Sequence, residues 1–305
     1  MKNPVLYIWR SWDRFWFAPR SSLPLDFLRI GLGAALLWNY AVMTPELDYF
    51  YGPHGVIPLQ SLELAREKDP WMQSVFFLVS GNTGLYIFHA LFLSCLTAFI
   101  IGWKTAWVKW VVFVGHVSYL HRNPSIYYGA DNIASSFMFI LCLSPVGRRL
   151  SMDARPSPAA DPDPRSTVCI RFVQLQLCIL ILLAGVEKLQ GQTWWSGDAV
   201  WIAMNNWEFA NVAPDFFARH YYLINLLTYG TLAFEISYPF LIWNKSWRPW
   251  LITSSVLMHL GIGWVMGLWW FAFVMCLGNL AFVDFPAWEK LLPRMNSAIR
   301  SARNH

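Results

Sequence analysis

Seven side chains set in apolar stretches of this 305-residue sequence have the chemistry to hold a ligand or move a proton: Lys188, Glu235, His259, Asp131, His116, Gln174 and Tyr238. An amine withdrawn from water favours its neutral form and can then act as a base. Carboxylates and imidazoles can orient a ligand or relay a proton. Spacing groups some of these residues. Gln174, Cys178, Ile181, Gly185 and Lys188 recur at intervals of four, three, four and three. At about 100° per residue they occupy one helical stripe about 80° wide. Glu187 points to nearly the opposite side. Thr228, Thr231, Glu235 and Tyr238 form a second stripe of about 80°, and His259 stands one turn beyond Ser255. We read Lys188, His259 and Asp131 as the catalytic candidates. Glu235, Tyr238, Gln174 and His116 are the candidates for holding a cofactor.

Each residue also has a plainer alternative. Lys188 can snorkel to the outer headgroups. Asp131, in the polar run Tyr127 to Asn132 followed by Ser135 and Ser136, can cap a helix. Glu235 can pair structurally with Arg171, His259 or a backbone group, and a lone histidine more often packs than ligates. Arg20, Asp26 and Arg29 can form a structural ion-pair cluster. His116 and His121 are five apart and HExxH does not occur, so no metal is expected.

These residues need elements to position them, and composition says of what kind. Hydrophobic residues make up 56% of the chain and charged residues 13%, with a mean hydropathy of +0.37. A soluble chain carries about 25% charged residues, so half that density excludes an ordinary soluble enzyme, a disordered protein and a disulfide-stapled secreted domain. The formal net charge is +5. The basic residues are scattered between apolar runs rather than clustered, which excludes nucleic acid as a partner and reads as membrane topology. Tryptophans gather at segment ends (Trp103, Trp107, Trp110; Trp243, Trp247, Trp250; Trp264, Trp269, Trp270), as at bilayer interfaces. The five cysteines lie in apolar runs without a CxxC and read as small buried hydrophobes.

The fold class expected is all-α: a polytopic membrane bundle of about eight transmembrane helices, with interfacial helices at both termini and in the outer loops. The spans fall near 23–43, 82–102, 105–121, 127–146, 167–188, 222–243, 248–265 and 267–284, each near the ~20 residues a bilayer requires. Residues 1–22 hold Lys2, Arg10, Arg14 and Arg20 among aromatic residues, with no clean apolar core or cleavage site. They read as a cytoplasmic interfacial helix rather than a signal peptide. Residues 23–285 form the transmembrane domain, with a Pro/Asp-rich cytoplasmic linker at 148–166, and 286–305 form an interfacial tail. Of the 23 Lys and Arg, sixteen fall on one side of this arrangement and five on the other. The positive-inside bias therefore puts both termini in the cytoplasm. Two long outer loops, about 44–81 and 189–221, invite a functional role. The first shows a helical stretch from Gln60 to about Lys68, and the second amphipathic helices rich in Trp.

Several motifs resemble the horizontally transferred transmembrane (HTTM) family: NPSIYYGADN at 123–132, LSPVGRRLSMD at 143–153, AGVEKLQGQTW at 184–194, FEISYPF at 234–240 and HLGIG at 259–263. The AGVxKL string is the most specific of them. The resemblance covers almost the whole chain. That family includes the membrane part of vitamin K-dependent gamma-glutamyl carboxylase and bacterial homologues that mature a secreted toxin, such as the sporulation-delaying-protein system. In the carboxylase, the second lysine of a GVKKL string is held to be the base that acts on reduced quinone in a lumen-facing pocket. Carried over, that lysine is Lys188, on the side the charge bias makes external. There are departures. Glu187 replaces the first lysine, a family histidine falls at Pro124, and these residues contain no counterpart of the large lumenal domain. Carboxylation of a large protein is therefore not expected.

The resemblance implies a multi-pass protein of the bacterial cytoplasmic (inner) membrane. Its cofactor would be a reduced quinone, menaquinone or vitamin K-like, or a lipid. Its substrate would be a small peptide or secreted protein on the outer face, with membrane lipid and a small soluble or membrane subunit as partners. Lys188 would be the base, with Asp131 and His259 as orienting or relay groups. The alternative is a non-catalytic binding or assembly module that holds a lipid or peptide for maturation or export. A transporter fits less well, because the polar groups do not continue to the inner face.

Overall fold

A computed structural model describes residues 4–79, 81–154, 162–208, 211 and 215–286. Among them are fourteen α-helices and no strand. The chain divides into two compact units, Met1–Arg171 with Val283–His305, and Phe172–Phe282. The first unit holds α1 (Pro4–Phe17), α2 (Leu23–Val42), α3 (Leu47–Tyr51), α4 (Leu59–Lys68), α5 (Gly81–Ile101), α6 (Thr105–Arg122), α7 (Gly129–Leu143) and the start of α8 (Pro164–Leu189). The second holds the rest of α8, then α9 (Gln192–Ser196), α10 (Ala199–Met204), α11 (Asp215–Arg219), α12 (Tyr221–Leu241), α13 (Arg248–Met266) and α14 (Trp269–Gly278). A 3₁₀ turn over Asn279–Phe282 follows α14.

Each apolar segment expected from the sequence coincides with a helix to within a few residues, and α1, α4, α9, α10 and α11 occupy the stretches read as interfacial. The tail helix, like residues 155–161 of the linker, lies outside the described residues. Length and apolarity together mark α5, α8 and α13 as able to cross a membrane. A fourth crossing arises if α2 and residues 44–51, bent from it by 48°, count as one span. Three of the remaining helices fall short for evident reasons. α7 has 15 residues, a rise of about 22 Å against a hydrocarbon core of about 30 Å. α14 has 10, and α6 carries Lys109, His116, His121 and Arg122.

The packing is that of a protein solvated by hydrocarbon. Large apolar side chains such as Trp38, Leu91 and Leu226 lie exposed, while Asp26, Arg29, His116, Glu235, His259 and Asn279 are buried. In the first unit α2 packs on α5 and α7, and α5 and α7 on α6. Gly115 makes one of these contacts possible, since a Cβ there would run into the Phe92 ring.

One buried ion pair ties the loops of this unit to α2. Asp26 accepts amide hydrogens from Gly147 at 2.6 Å, Arg149 at 3.0 Å and Leu150 at 3.1 Å. Arg29, one turn on, donates to the carbonyl oxygens of Phe99, Ile100 and Leu150. Both side chains are fully buried, with Nε 3.8 Å from Oδ1. The cluster expected around Arg20, Asp26 and Arg29 thus exists for two of its members. Arg20 contributes its backbone, its carbonyl accepting from the Asp163 amide at 3.2 Å. Because the pair also satisfies the ends of α5 and the loop after α7, removing either partner strands buried polar groups. Asp26→Leu and Arg29→Leu should each cost about 3–5 kcal/mol. The double variant should cost clearly less than their sum, as read from unfolding in detergent.

Asp153 closes the first turn of α6, accepting from Lys104 N at 3.0 Å and Thr105 N at 2.6 Å. Slight burial pushes its carboxyl up, but the hydrogen bonds from Thr105 and Lys104 and the charge of Arg29 outweigh that and hold it below the usual carboxylate range. A carboxyl depressed in the folded state stabilises above its unfolded value, about 3.9, and that contribution disappears as pH falls through the folded value. Unfolding measured from pH 6 down to pH 3 should therefore show an acid-side loss that is smaller in Asp153→Asn.

Candidate functional site

The stripe predicted on α8 is present. Gln174, Cys178 and Ile181 are buried, Gly185 faces α12, and Glu187 is exposed. Gly185 matters for distance. A Cβ at that position would lie 3.0 Å from Glu235 Cβ and 3.0 Å from Ile236 Cδ1, so the absence of a side chain is what lets α8 and α12 approach. One turn later comes Lys188. Helical side chains lean toward the N-terminus of their helix, and Lys188 follows this rule, its ammonium lying 3.5 Å from the Ala184 carbonyl. The side chain therefore runs back along α8.

There it meets Glu235. Lys188 Nζ stands 2.9 Å from Oε1 and 2.8 Å from Oε2. The ammonium lies 5.3 Å from the centroid of the Trp194 ring, within cation–π range. Glu235 is 6% exposed, which makes Lys188 the neutralising charge it depends on. The sequence offered Arg171 or His259 as its structural partner, and this is corrected. Arg171 instead donates to the Phe15 carbonyl at 3.0 Å and lies 4.0 Å from the Phe15 ring centroid.

His259 is buried on α13, its Nδ1 2.7 Å from the Ser255 carbonyl, and it lies within electrostatic reach of Lys188. Tyr238, one turn after Glu235, donates to Asn279 at 2.7 Å. Asn279 was missed by sequence reasoning. The available signal was a carboxamide at the end of an otherwise apolar run, beyond the last stripe considered. Gln174, expected to hold a cofactor, spends its amide on the Ala281 carbonyl at 2.7 Å and fastens the 3₁₀ turn. The second unit therefore gathers Lys188, Glu235, His259 and Tyr238, with Gln174 in a supporting position.

Asp131 and His116 belong to the first unit. Asp131 starts α7, Oδ2 accepting from Tyr128 N at 3.0 Å in a capping box, which is the plainer of its two expected roles. His116 is fully buried, its Nδ1 2.8 Å from the Tyr40 hydroxyl. A matching pair stands beside it: His89 Nδ1 lies 2.7 Å from Tyr119 Oη, and the Tyr40 and Tyr119 rings are 4.5 Å apart. A surface cavity of about 630 Å³ at the start of α6, lined by Lys104, Ala106, Trp107 and Asp153, contains none of the predicted residues. Among the described residues no three His, Cys, Asp or Glu side chains group as a metal site.

The pair and the glycine depend on each other. Gly185→Leu should part α8 from α12 and lower the melting temperature in detergent. Lys188→Ala should cost about 1–3 kcal/mol by leaving Glu235 buried alone, less than a fully buried pair because Lys188 is partly exposed. Adding Glu235→Gln to Lys188→Ala should recover part of that loss in the same unfolding measurement.

Neither curated proteins nor solved structures offer a match to this chain. The HTTM domain model does match, over residues 18–288. That stretch takes in every helix from α2 to α14 and all seven predicted site residues. With its long apolar helices, the chain is an all-helical membrane protein, and it belongs to the HTTM domain family.

Proposed function

We propose that this protein is a vitamin K-dependent carboxylase-related membrane enzyme that modifies or matures a small peptide or secreted protein on the outer face of the bacterial inner membrane. The observation that carries the proposal is the inward turn of Lys188 onto a buried carboxylate. A lysine that only anchored the outer end of α8 would reach for the headgroups. This one keeps its ammonium on Glu235 and over the Trp194 ring, within electrostatic reach of His259.

Such a pair can handle a proton. In water-poor surroundings the charged and neutral forms of a Lys–Glu pair compete, because desolvation penalises both ions while their mutual attraction favours them. Transfer of one proton from Nζ to a Glu235 oxygen leaves a neutral amine and a neutral acid. The amine can then accept a hydroxyl proton from a bound ligand, and Glu235 keeps the proton it received. The donor set suits a reduced quinone: acceptors for hydroxyl hydrogens and a ring-flanked ammonium in apolar surroundings. Such a cofactor, when bound, would supply the acidic hydroxyl and the reducing electrons. Lys188 and Glu235 would receive its proton, Tyr238 and His259 would line its place, and Trp194 would help exclude water. Eight crossings with both termini cytoplasmic put Lys188 in the outer half of the bilayer, as the positive-inside count requires.

A non-catalytic module that holds a lipid or peptide is the competing reading, and the mutual pairing of Lys188 and Glu235 favours it, since each charge already has a partner. One measurement separates the two. Protein purified in mild detergent is extracted with organic solvent, and its co-purified small molecules are identified by mass spectrometry, with Lys188→Ala alongside. The enzyme reading expects quinone near one per protein in the wild type, and a several-fold change in occupancy or redox state in the variant. Bulk phospholipid alone, identical in both, would sink it in favour of the holding module.

A further inference from the structure

Behind the Lys188–Glu235 pair lies a hydrogen-bonded brace. Tyr238 Oη donates to Asn279 Oδ1 at 2.7 Å. Asn279 Nδ2 donates to Ser255 Oγ at 3.0 Å and to the Met275 carbonyl, on its own helix, at 3.0 Å. Tyr238, Ser255 and Asn279 are all buried, so one carboxamide joins α12, α13 and the end of α14 through both of its ends. The brace stands one helical turn from the site on both helices. Glu235 precedes Tyr238 by three residues on α12, and His259 follows Ser255 by four on α13. Residues so spaced share a helix face. Tying Tyr238 to Ser255 therefore sets the level of His259 against Glu235.

The same end of α13 decides which nitrogen of His259 is bare. Nδ1 lies 2.7 Å from the Ser255 carbonyl oxygen, which can only accept, so Nδ1 carries the hydrogen. In the neutral ring Nε2 is then an acceptor. Among the described residues no hydrogen bond engages Nε2. Nε2 is thus an unpaired acceptor on a residue 2% exposed, yet it is not sealed off, so the donor of a ligand can reach it.

We infer that Asn279 is a positioning residue that holds His259 with Nε2 bare and level with the Lys188–Glu235 pair, where Nε2 accepts the hydrogen of a hydroxyl-bearing ligand. The ligand part of this rests on the quinol reading above; the brace does not. Tyr238 and Ser255 act through Asn279, and Nε2 is the atom that would touch the ligand.

The test is nitrogen NMR of the full-length protein, labelled with ¹⁵N-histidine and reconstituted in nanodiscs, with the His259 signals identified by their loss in His259→Gln. The wild type should show a protonated Nδ1 and a bare Nε2. Ser255 Oγ lies 3.4 Å from the same Nδ1; freed from Asn279 it can turn its hydrogen onto that nitrogen, so Asn279→Leu should raise the other tautomer several-fold. Tyr238→Phe removes a single hydroxyl and should give a smaller shift in the same direction; it decides the matter if Asn279→Leu does not fold. A wild-type His259 protonated on Nε2, or a tautomer unmoved in folded variants, overturns the inference. Where extraction finds bound quinone, stripping it and adding tetramethylhydroquinone should move the Nε2 resonance, and an unmoved resonance overturns the acceptor role. A wild type that carries no quinone removes the functional reading, while the tautomer result still decides the brace.

Discussion

A charge placed in hydrocarbon has no water to solvate it, and this constraint organises the molecule. Each buried ionic group is answered within its own unit. Asp26 is met by Arg29 and three amides, Arg122 by the carbonyls of Gly52 and Ile57, and Glu235 by Lys188. The apolar surface can then turn outward without penalty, because acyl chains solvate Trp38 or Leu226 as well as a protein core would. Helix ends are drawn together wherever a charge needs carbonyl or amide partners. That is how the loop after α7 comes to lie against both α2 and the end of α5.

The two acid–base pairs answer the constraint differently. Asp26 and Arg29 have spent their hydrogen bonds on backbone atoms from three segments, so moving a proton between them would break several contacts at once. Lys188 and Glu235 hold one another, with only a long contact to the Ala184 carbonyl and a ring face besides. Neutralising that pair breaks no backbone network. A pair whose charge state can change without unfolding its surroundings is suited to handling a proton.

The helices were legible because an apolar run near twenty residues long has few alternatives, and the stripes on α8 and α12 because helical spacing fixes which residues share a face. The partner of Lys188 was not legible. Position along the chain placed Lys188 at the rim and Glu235 deeper, and only the backward lean of a long side chain closes that gap. Asp131, which the sequence left open between chemistry and capping, accepts from the Tyr128 amide at the start of α7. Asn279 was invisible because its importance lies in joining three helices, which no spacing within one segment reveals.

The AGVEKL string acquires a physical meaning from this geometry. Its glycine brings the α8 backbone against Glu235, and the residue three places on stands over the same face, so a lysine there is delivered to the carboxylate. The intervening residue, Glu187, is exposed on the other side of the helix. A lysine in its place would point away from the pair as well. The departure from the lysine doublet of the carboxylase therefore leaves the pair itself untouched. What the string preserves is a close approach followed by a cation on the same face, and that is what a buried carboxylate on α12 requires.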